Sequence, residues 1–417
     1  MPGTLRSVRS LLLSVAILLT GHGLQLTLLP LKAYELGWDS SAIGLTGSAY
    51  YVGFIIGCLM IPGIIRRVGH IRAFAVMVAT ASMVVLAASV LESYAVWLAL
   101  RLFTGWSMAS LYTVIESWLN DRADNTRRGA VLGVYTMISL VALTLGQLFI
   151  ELERLTLDEL FPIAGLLIIG ATIPVALTSR TQPGVPAAFE FNWRTVYDAS
   201  HVGVVSAGIS GLVMGLIWSV GAVYAAEVTG QVESGARFVT SVILGGLLLQ
   251  FPLGRVSDRL DRRWIILGLG VLGAVGSSVW IFRSLDGMLL YVSGFLCGGA
   301  AMPMYSISIA HANDNAEGRF LQIASGMLMA NALGAVIGPF AFGASRYLGA
   351  SQGFMATLGV AFLCCVVWTG VRLKAHSARR DYFEPFQPLP KTSPEVAVLD
   401  PRMEGEPVSE LEDGGPA

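Results

Sequence analysis

Four polar residues stand inside otherwise apolar stretches of the sequence, and each could do chemistry there. His22 and Gln25 are three residues apart and share a helix face. Histidine titrates near neutral pH, so His22 is a candidate proton carrier, the alternative being a hydrogen-bonded packing histidine. Arg101 is a fixed cation in an apolar run, suited to binding an anion or to coupling, or else to a structural pair or a carbonyl cap. Glu116 lies fifteen residues further on, about 22 Å along a helix rising about 1.5 Å per residue, too far for a direct pair. Ionised groups in lipid cost several kcal/mol unless paired or wetted, so neither is expected to point at lipid. Gly105, Met108 and Tyr112 fall near one stripe with them, a stripe expected to face the interior cavity. Trp218, Tyr224 and Tyr305 are weaker candidates for the same interior, as are Tyr50 and Tyr51. The amides of Gln147 and Asn331 are expected to make helix-packing hydrogen bonds.

What must position these residues is a set of membrane spans. The 417 residues are 54% hydrophobic and 13% charged, with a mean hydropathy of +0.67, against about a quarter charged in soluble proteins. Twelve runs reach the roughly 20 apolar residues that a helix needs to cross a bilayer. They are 10–31, 41–65, 72–92, 94–119, 129–150, 160–178, 201–226, 236–253, 264–283, 287–310, 319–345 and 351–373. Glycines at four-residue spacing (Gly53/Gly57, Gly211/Gly215, Gly334/Gly338) are devices for close helix contact in lipid. The run after Arg9 reads as a retained first helix rather than a signal peptide. An even number of spans puts both termini on one side. Assigning that side to the cytoplasm places 21 of the 27 basic residues there, which fixes the orientation.

The chain also repeats itself. Tyr112-Thr113-Val114-Ile115-Glu116-Ser117-Trp118-Leu119-Asn120-Asp121 returns 193 residues later as Tyr305-Ser306-Ile307-Ser308-Ile309-Ala310-His311-Ala312-Asn313-Asp314. Two parallel halves produce such an echo. The halves are expected at 1–178 and 201–373, joined by a cytoplasmic linker at 179–200 and followed by a disordered tail at 374–417. Residues lacking a counterpart are the better functional candidates: Arg101 maps to Gly294, and Glu116 to Ile309.

Four motifs carry a resemblance. Gly254-Arg255-Val256-Ser257-Asp258-Arg259-Leu260-Asp261-Arg262-Arg263 resembles the G-x-x-x-D-R-x-G-R-R signature of the major facilitator superfamily, with Asp261 in place of the second glycine. The matching loop in the first half keeps Arg67, Gly69 and Arg72, with Arg66 in the acidic slot. Arg101-Leu102-Phe103-Thr104-Gly105-Trp106-Ser107-Met108-Ala109 is similar to its R-x-x-x-G-x-G-x-A, and Glu116 through Arg122 to its E-x-x-x-x-x-R. The surroundings of His22, Gln25 and Glu116 also resemble the YcaD-type bacterial permeases.

The resemblance implies an all-α membrane protein, with twelve transmembrane helices in two parallel-related six-helix bundles around a central cavity. It implies a permease that moves a small organic solute across the cytoplasmic (inner) membrane by alternating access, driven by an ion gradient, expected to be protons. His22, Gln25, Arg101, Tyr112, Trp218 and Tyr305 are then the substrate or coupling candidates. Arg66, Arg67, Arg72, Glu116, Arg122, Arg128, Asp258, Arg259 and Arg263 are the cytoplasmic gate candidates, Asp258 being expected to reach the region of Arg128. The expected partners are a small solute, protons and surrounding lipid. No nucleic acid, cofactor or metal is expected, and the chain is expected to be a monomer. The rivals are a transport-dead sensor on the same fold and a multidrug-type proton antiporter. An enzyme is not expected, because there is no zinc, phosphate-loop or triad signature and no ATP-binding domain. The four cysteines sit in apolar runs as small hydrophobes.

Overall fold

A computed structural model describes residues 2–122, 128–152, 155–177, 192–278, 287–314, 319–347 and 353–375, with the side chains of 2–8, 120–122, 128–130, 346–347 and 375 excepted. The region 178–191, which holds most of the expected linker, and the tail from 376 onward lie outside the described residues. Among those described there is no strand.

The chain is an all-α membrane protein. Its first half comprises α1 (Pro2–Glu35), α2 (Ser40–Val68), α3 (His70–Ala88), α4 (Tyr94–Arg122), α5 (Arg128–Leu148), α6 (Leu157–Gly170) and its short continuation α7 (Thr172–Ala176). A seven-residue helix, α8 (Trp193–Ala199), falls within the expected linker at 179–200 and packs against the second half. The second half comprises α9 (His201–Leu216), a π-helical segment (Ile217–Gly221), α10 (Ala222–Thr229), α11 (Glu233–Ser257), α12 (Arg262–Ser277), α13 (Gly287–Asn313), α14 (Phe320–Tyr347) and α15 (Gly353–Ala375). Among the described residues, eleven helices are long and apolar enough to span a membrane. The remaining expected span, 264–283, is seen as α12, which has 16 described residues.

Short polar signals start several helices. Asp39 accepts the amides of Ser41 and Ala42 at the start of α2, Thr156 and Glu159 form a capping box on α6, and Ser200 accepts the Gly203 amide to open α9. Each satisfies amides that the first helical turn leaves unpaired.

The packing repeats the sequence echo. In the first half, Gly53 lies against the Leu102 carbonyl and Gly105 against the Tyr50 carbonyl, joining α2 to α4. In the second half, Gly245 lies against the Phe295 carbonyl and Gly298 against the Val242 carbonyl, joining α11 to α13. Each residue of the second set sits 192 or 193 positions after its counterpart. A Cβ at any of the four glycines would overlap backbone, which is why these positions exclude side chains. A second device also recurs. Gln147 on α5 donates to the Gly23 carbonyl of α1 (2.6 Å) and accepts from Thr27 (2.6 Å). Asn331 on α14 donates to the Ala207 carbonyl of α9 (2.9 Å). Both amides therefore do bind neighbouring helices.

The helix order defines two ends. The basic end carries Gly69, the ends of α4 and α13, the start of α14 and the turn at 258–261. The opposite end carries the connections at 36–39 and 230–232, the end of α5 and the start of α6.

Candidate functional site

A cavity of about 180 Å³ lies at mid-height between the halves. The first half contributes Leu19, His22, Leu26, Tyr50, Tyr51, Phe54, Tyr112, Thr136, Ser139, Leu140 and Leu143. The second contributes Gly211, Met214, Trp218, Gln250, Met302, Ser306, Leu328, Asn331, Ala332 and Ala335. Of the six substrate or coupling candidates, His22, Tyr112 and Trp218 line this space. Gln25 and Arg101 stand directly behind its wall. Tyr305 is buried outside the lining, while the adjacent Ser306 belongs to it.

The wall of the first half is an aromatic and cationic cluster. His22 Nδ1 is 3.4 Å from Gln25 Oε1, and the His22 ring stacks on Tyr50 with centroids 6.1 Å apart. Tyr50 meets Tyr51 edge to face at 5.1 Å. The Arg101 guanidinium lies over the Tyr50 ring, 4.9 Å from its centroid, with the residue only 4% exposed. A cation over an aromatic face recovers part of the lost hydration. It leaves the hydrogen-bonding demand unmet, since Arg101 Nε and Nη1 and Gln25 Nε2 are buried with no hydrogen-bond partner.

The stripe expected on α4 divides in two. Tyr112 faces the cavity, whereas Gly105 is spent on contact with α2. Glu116 is fully buried and accepts a hydrogen bond from Tyr135 of α5 at 3.0 Å. This places it between helices of its own half, with Tyr112 and, across the halves, Tyr305 among its electrostatic neighbours.

At the basic end, Arg66, Arg67, Arg72 and Arg259 are exposed. The side chains of Arg122 and Arg128 lie outside the described residues, so the expected reach of Asp258 toward Arg128 does too. Asp258 Oδ1 is 3.8 Å from Arg262 Nη2 within its own half. Arg262 is fully buried and donates through Nε to Asp314 Oδ2 at 2.9 Å. Arg263 pairs with Asp261 at 2.7 Å, and Asp261 also caps α12 by accepting the Arg263 amide at 3.0 Å. Partial burial opposes ionisation of Asp261. The hydrogen bonds and charge of Arg263 outweigh it and hold the carboxyl below the usual carboxylate range. The loss of the motif glycine here has a simple reason: Asp261 has φ −54°, whereas Gly69, 192 residues earlier, has φ 81°. Only the first half needs a left-handed residue at this corner.

At the opposite end the halves are joined directly. Ser40 donates to Glu227 at 2.6 Å, Ser48 donates to the Val336 carbonyl at 2.8 Å, and Arg237 pairs with Glu151 at 3.7 Å. Gly47 lies against the side chain of Ser219, and Gly44 against Pro339. Ser219 belongs to the π-helical segment. Such segments are rare and cluster at functional positions.

Two helical bundles that line one cavity from both sides within a membrane are the architecture of a membrane-transport protein. The Major Facilitator Superfamily profile matches residues 11–186 and 203–403, and the chain belongs to that family. It is accordingly a transporter rather than an enzyme. Among relatives, the "Uncharacterized MFS-type transporter YcaD" of Salmonella arizonae (strain ATCC BAA-731 / CDC346-86 / RSK2980) is 24% identical over 340 residues, covering 80% of this chain and 87% of the relative. An uncharacterized MFS-type transporter of Enterobacter sp. (strain 638) is 25% identical over 346 residues, covering 80% and 87%. Among solved structures, a bacterial homolog of the human lysosomal transporter Spinster, in an inward-facing and occupied conformation, aligns with a TM-score of 0.71 at 15% identity, over 90% of this chain and 98% of that one. The nucleoside transporter NupG aligns with a TM-score of 0.70 at 12% identity, over 89% and 99%. These likenesses concern the fold.

Nothing in the sequence singles out Gln250, Met214, Met302, Thr136 or Ser139 for the cavity, or Arg262 as the buried arginine of its pair. No signal short of the helix rotations distinguishes them. Arg262 and Arg263 are adjacent, and only the register of α12 decides which one is enclosed.

Proposed function

We propose that the protein is a secondary transporter of a small organic solute, working by alternating access in the cytoplasmic membrane with both termini inside. The observation that carries this is a cavity built from both halves, together with direct contacts between the halves at the end away from the basic loops. The excess of Lys and Arg at the basic end supports its assignment to the cytoplasm. The conformation described then has its outer gate closed through Ser40–Glu227, Ser48–Val336 and Glu151–Arg237. Rocking of the halves about the cavity breaks these contacts and admits solute from the other side. Domain limits of 1–178 and 201–373 fit this rigid-body scheme.

His22 is the proposed proton carrier. It lines the cavity, contacts Gln25, and among the described residues is the one imidazole in the cavity wall. Coupling through His22 predicts that His22→Gln retains solute exchange in proteoliposomes but loses acceleration by an imposed proton gradient. Gradient-driven accumulation equal to that of the parent protein would remove His22 from coupling. The solute is sought by comparing metabolites inside and outside cells that lack or overproduce the protein. Accumulation inside the deletion strain marks an exporter, and failure to consume a medium component marks an uptake permease. The rival of a transport-dead sensor predicts binding without exchange across the liposome membrane.

A further inference from the structure

We propose that the solute is an organic monocarboxylate with an apolar body, its carboxylate received by Arg101 and Gln25; this rests on the transport reading above. Arg101 Nε, Arg101 Nη1 and Gln25 Nε2 are buried nitrogens with no hydrogen-bond partner, and all three are donors. They lie behind the first-half wall of the cavity and outside its lining. Gln25 touches His22, Arg101 lies over Tyr50, and the His22 and Tyr50 rings stack in the cavity wall. Among the described residues, no carboxylate is within ion-pair distance of Arg101, so the protein leaves this cation without a counter-ion. A buried charge in that condition is costly, and such donors persist where an incoming group completes them.

The shape of the demand selects the group. A carboxylate offers two acceptor oxygens that match the forked N–H groups of a guanidinium. A primary amide offers one acceptor and sets its own N–H groups against the site's donors. An organic cation is repelled. A phosphate dianion asks for more positive charge than one guanidinium supplies. The carboxylate enters beside His22 and Tyr50, and the guanidinium exchanges its contact with the Tyr50 face for charge-assisted hydrogen bonds. The facing wall, with Met214, Trp218, Met302 and Leu328, takes the apolar body. Methionine and tryptophan there favour a flat or flexible hydrocarbon portion over a polyhydroxylated one. The second half carries Gly294 where the first has Arg101, and a Cβ at Gly294 would meet Ser241 and Phe238. The charge is therefore confined to one wall, and the solute binds in one orientation.

The test uses the purified full-length protein and a panel of carboxylates from acetate to 4-phenylbutyrate, each paired with its primary amide. Thermal unfolding is followed by tryptophan fluorescence. At least one carboxylate is expected to raise the Tm while its amide at equal concentration does not. Arg101→Gln is expected to weaken that carboxylate about 10- to 100-fold, the range for losing a charged hydrogen-bond partner, and Arg101→Lys to retain part of the effect. Equal stabilisation by carboxylate and amide, or stabilisation by no carboxylate in the panel, overturns the proposal. Because that comparison is made on the unaltered protein, it decides even where an Arg101 variant does not fold. Counterflow in proteoliposomes separates this inference from the reading beneath it. A carboxylate that binds and is never exchanged sinks the transport reading and leaves the binding chemistry standing. An amide exchanged in preference to its carboxylate does the reverse.

Discussion

Replacing Asp314 by Asn is expected to cost about 3 kcal/mol of stability, the lower end of the range for removing one charge of a buried pair. Arg262 is 0% exposed and holds Asp314 at 2.9 Å, with Asp258 at 3.8 Å and Ser257 at 3.4 Å. The variant removes the nearer carboxylate charge from an enclosed guanidinium and leaves the farther one, Asp258, beside it. Asp258 keeps the loss from reaching the upper end of that range. Asp261→Asn is expected to cost less, because Arg263 and Asp261 keep 10% and 18% of their side-chain surface in solvent, against 0% and 10% for Arg262 and Asp314. The double variant Arg262→Met with Asp314→Leu is expected to regain most of the loss, since replacing both members of a buried pair spares the desolvation of two ions. Denaturant titration of the detergent-solubilised protein measures all three. A denaturation midpoint for Asp314→Asn matching the parent would show that the pair is not enclosed as described. At the matching corner of the first half, 192 residues earlier, stands His70, which is buried and meets Ser117 at 3.0 Å. The halves fasten one corner with different chemistry, and the second is the more vulnerable to loss of a charge.

Spans, loops and the twofold plan were legible because each rests on a signal spread over many residues. Apolar runs of span length need no knowledge of their neighbours, and the Gly53/Gly245 and Gly105/Gly298 pairs keep their offset because each pair does the same packing job. His22 and Gln25 were legible as a pair through their spacing alone. The orientation of α4 was not. Its faces are nearly equally apolar, so Gly105, Met108 and Tyr112 read as one cavity-facing stripe, and nothing in the sequence indicated that Tyr112 alone of the three would line the cavity, that Gly105 would be spent on α2, or that Arg101 would stand behind Tyr50. In a soluble helix an amphipathic stripe would have fixed that rotation; in lipid both faces meet apolar surroundings. The π-helical segment was invisible for a related reason, since Ile217-Trp218-Ser219-Val220-Gly221 carries no composition that separates a π turn from an α turn. The Asp261 substitution was visible, but its reason lay in a backbone angle.

Gly47→Val is expected to shift the protein toward the state in which the end away from the basic loops is open. Gly47 lies on α2 of the first half, and a Cβ placed there would overlap the side chain of Ser219 in the second. The overlap exists only while the halves touch. Overpacking costs about 1–3 kcal/mol. Charged against one of two states, this moves their ratio about 10- to 100-fold at the middle of the range, because about 1.4 kcal/mol corresponds to a factor of ten. Ser139 lines the cavity, so a cysteine placed there in a background freed of the four native cysteines reports access. Gly47→Val should raise its labelling by an impermeant maleimide from the face opposite the basic loops, and should slow transport because closure has become unfavourable. Gly53→Val is the control. Its clash is with the Leu102 carbonyl of the same half, which both states retain, so it should reduce folded protein rather than redistribute it. Ser219→Gly removes both the hydroxyl and the Cβ that lie nearest the added Cβ and should relieve a milder Gly47→Ala variant. If Gly47→Val labels and transports like its parent, contact between α2 and the π-helical segment is not the gate. The closing surface would then have to be sought in the Ser40–Glu227 and Glu151–Arg237 pairs.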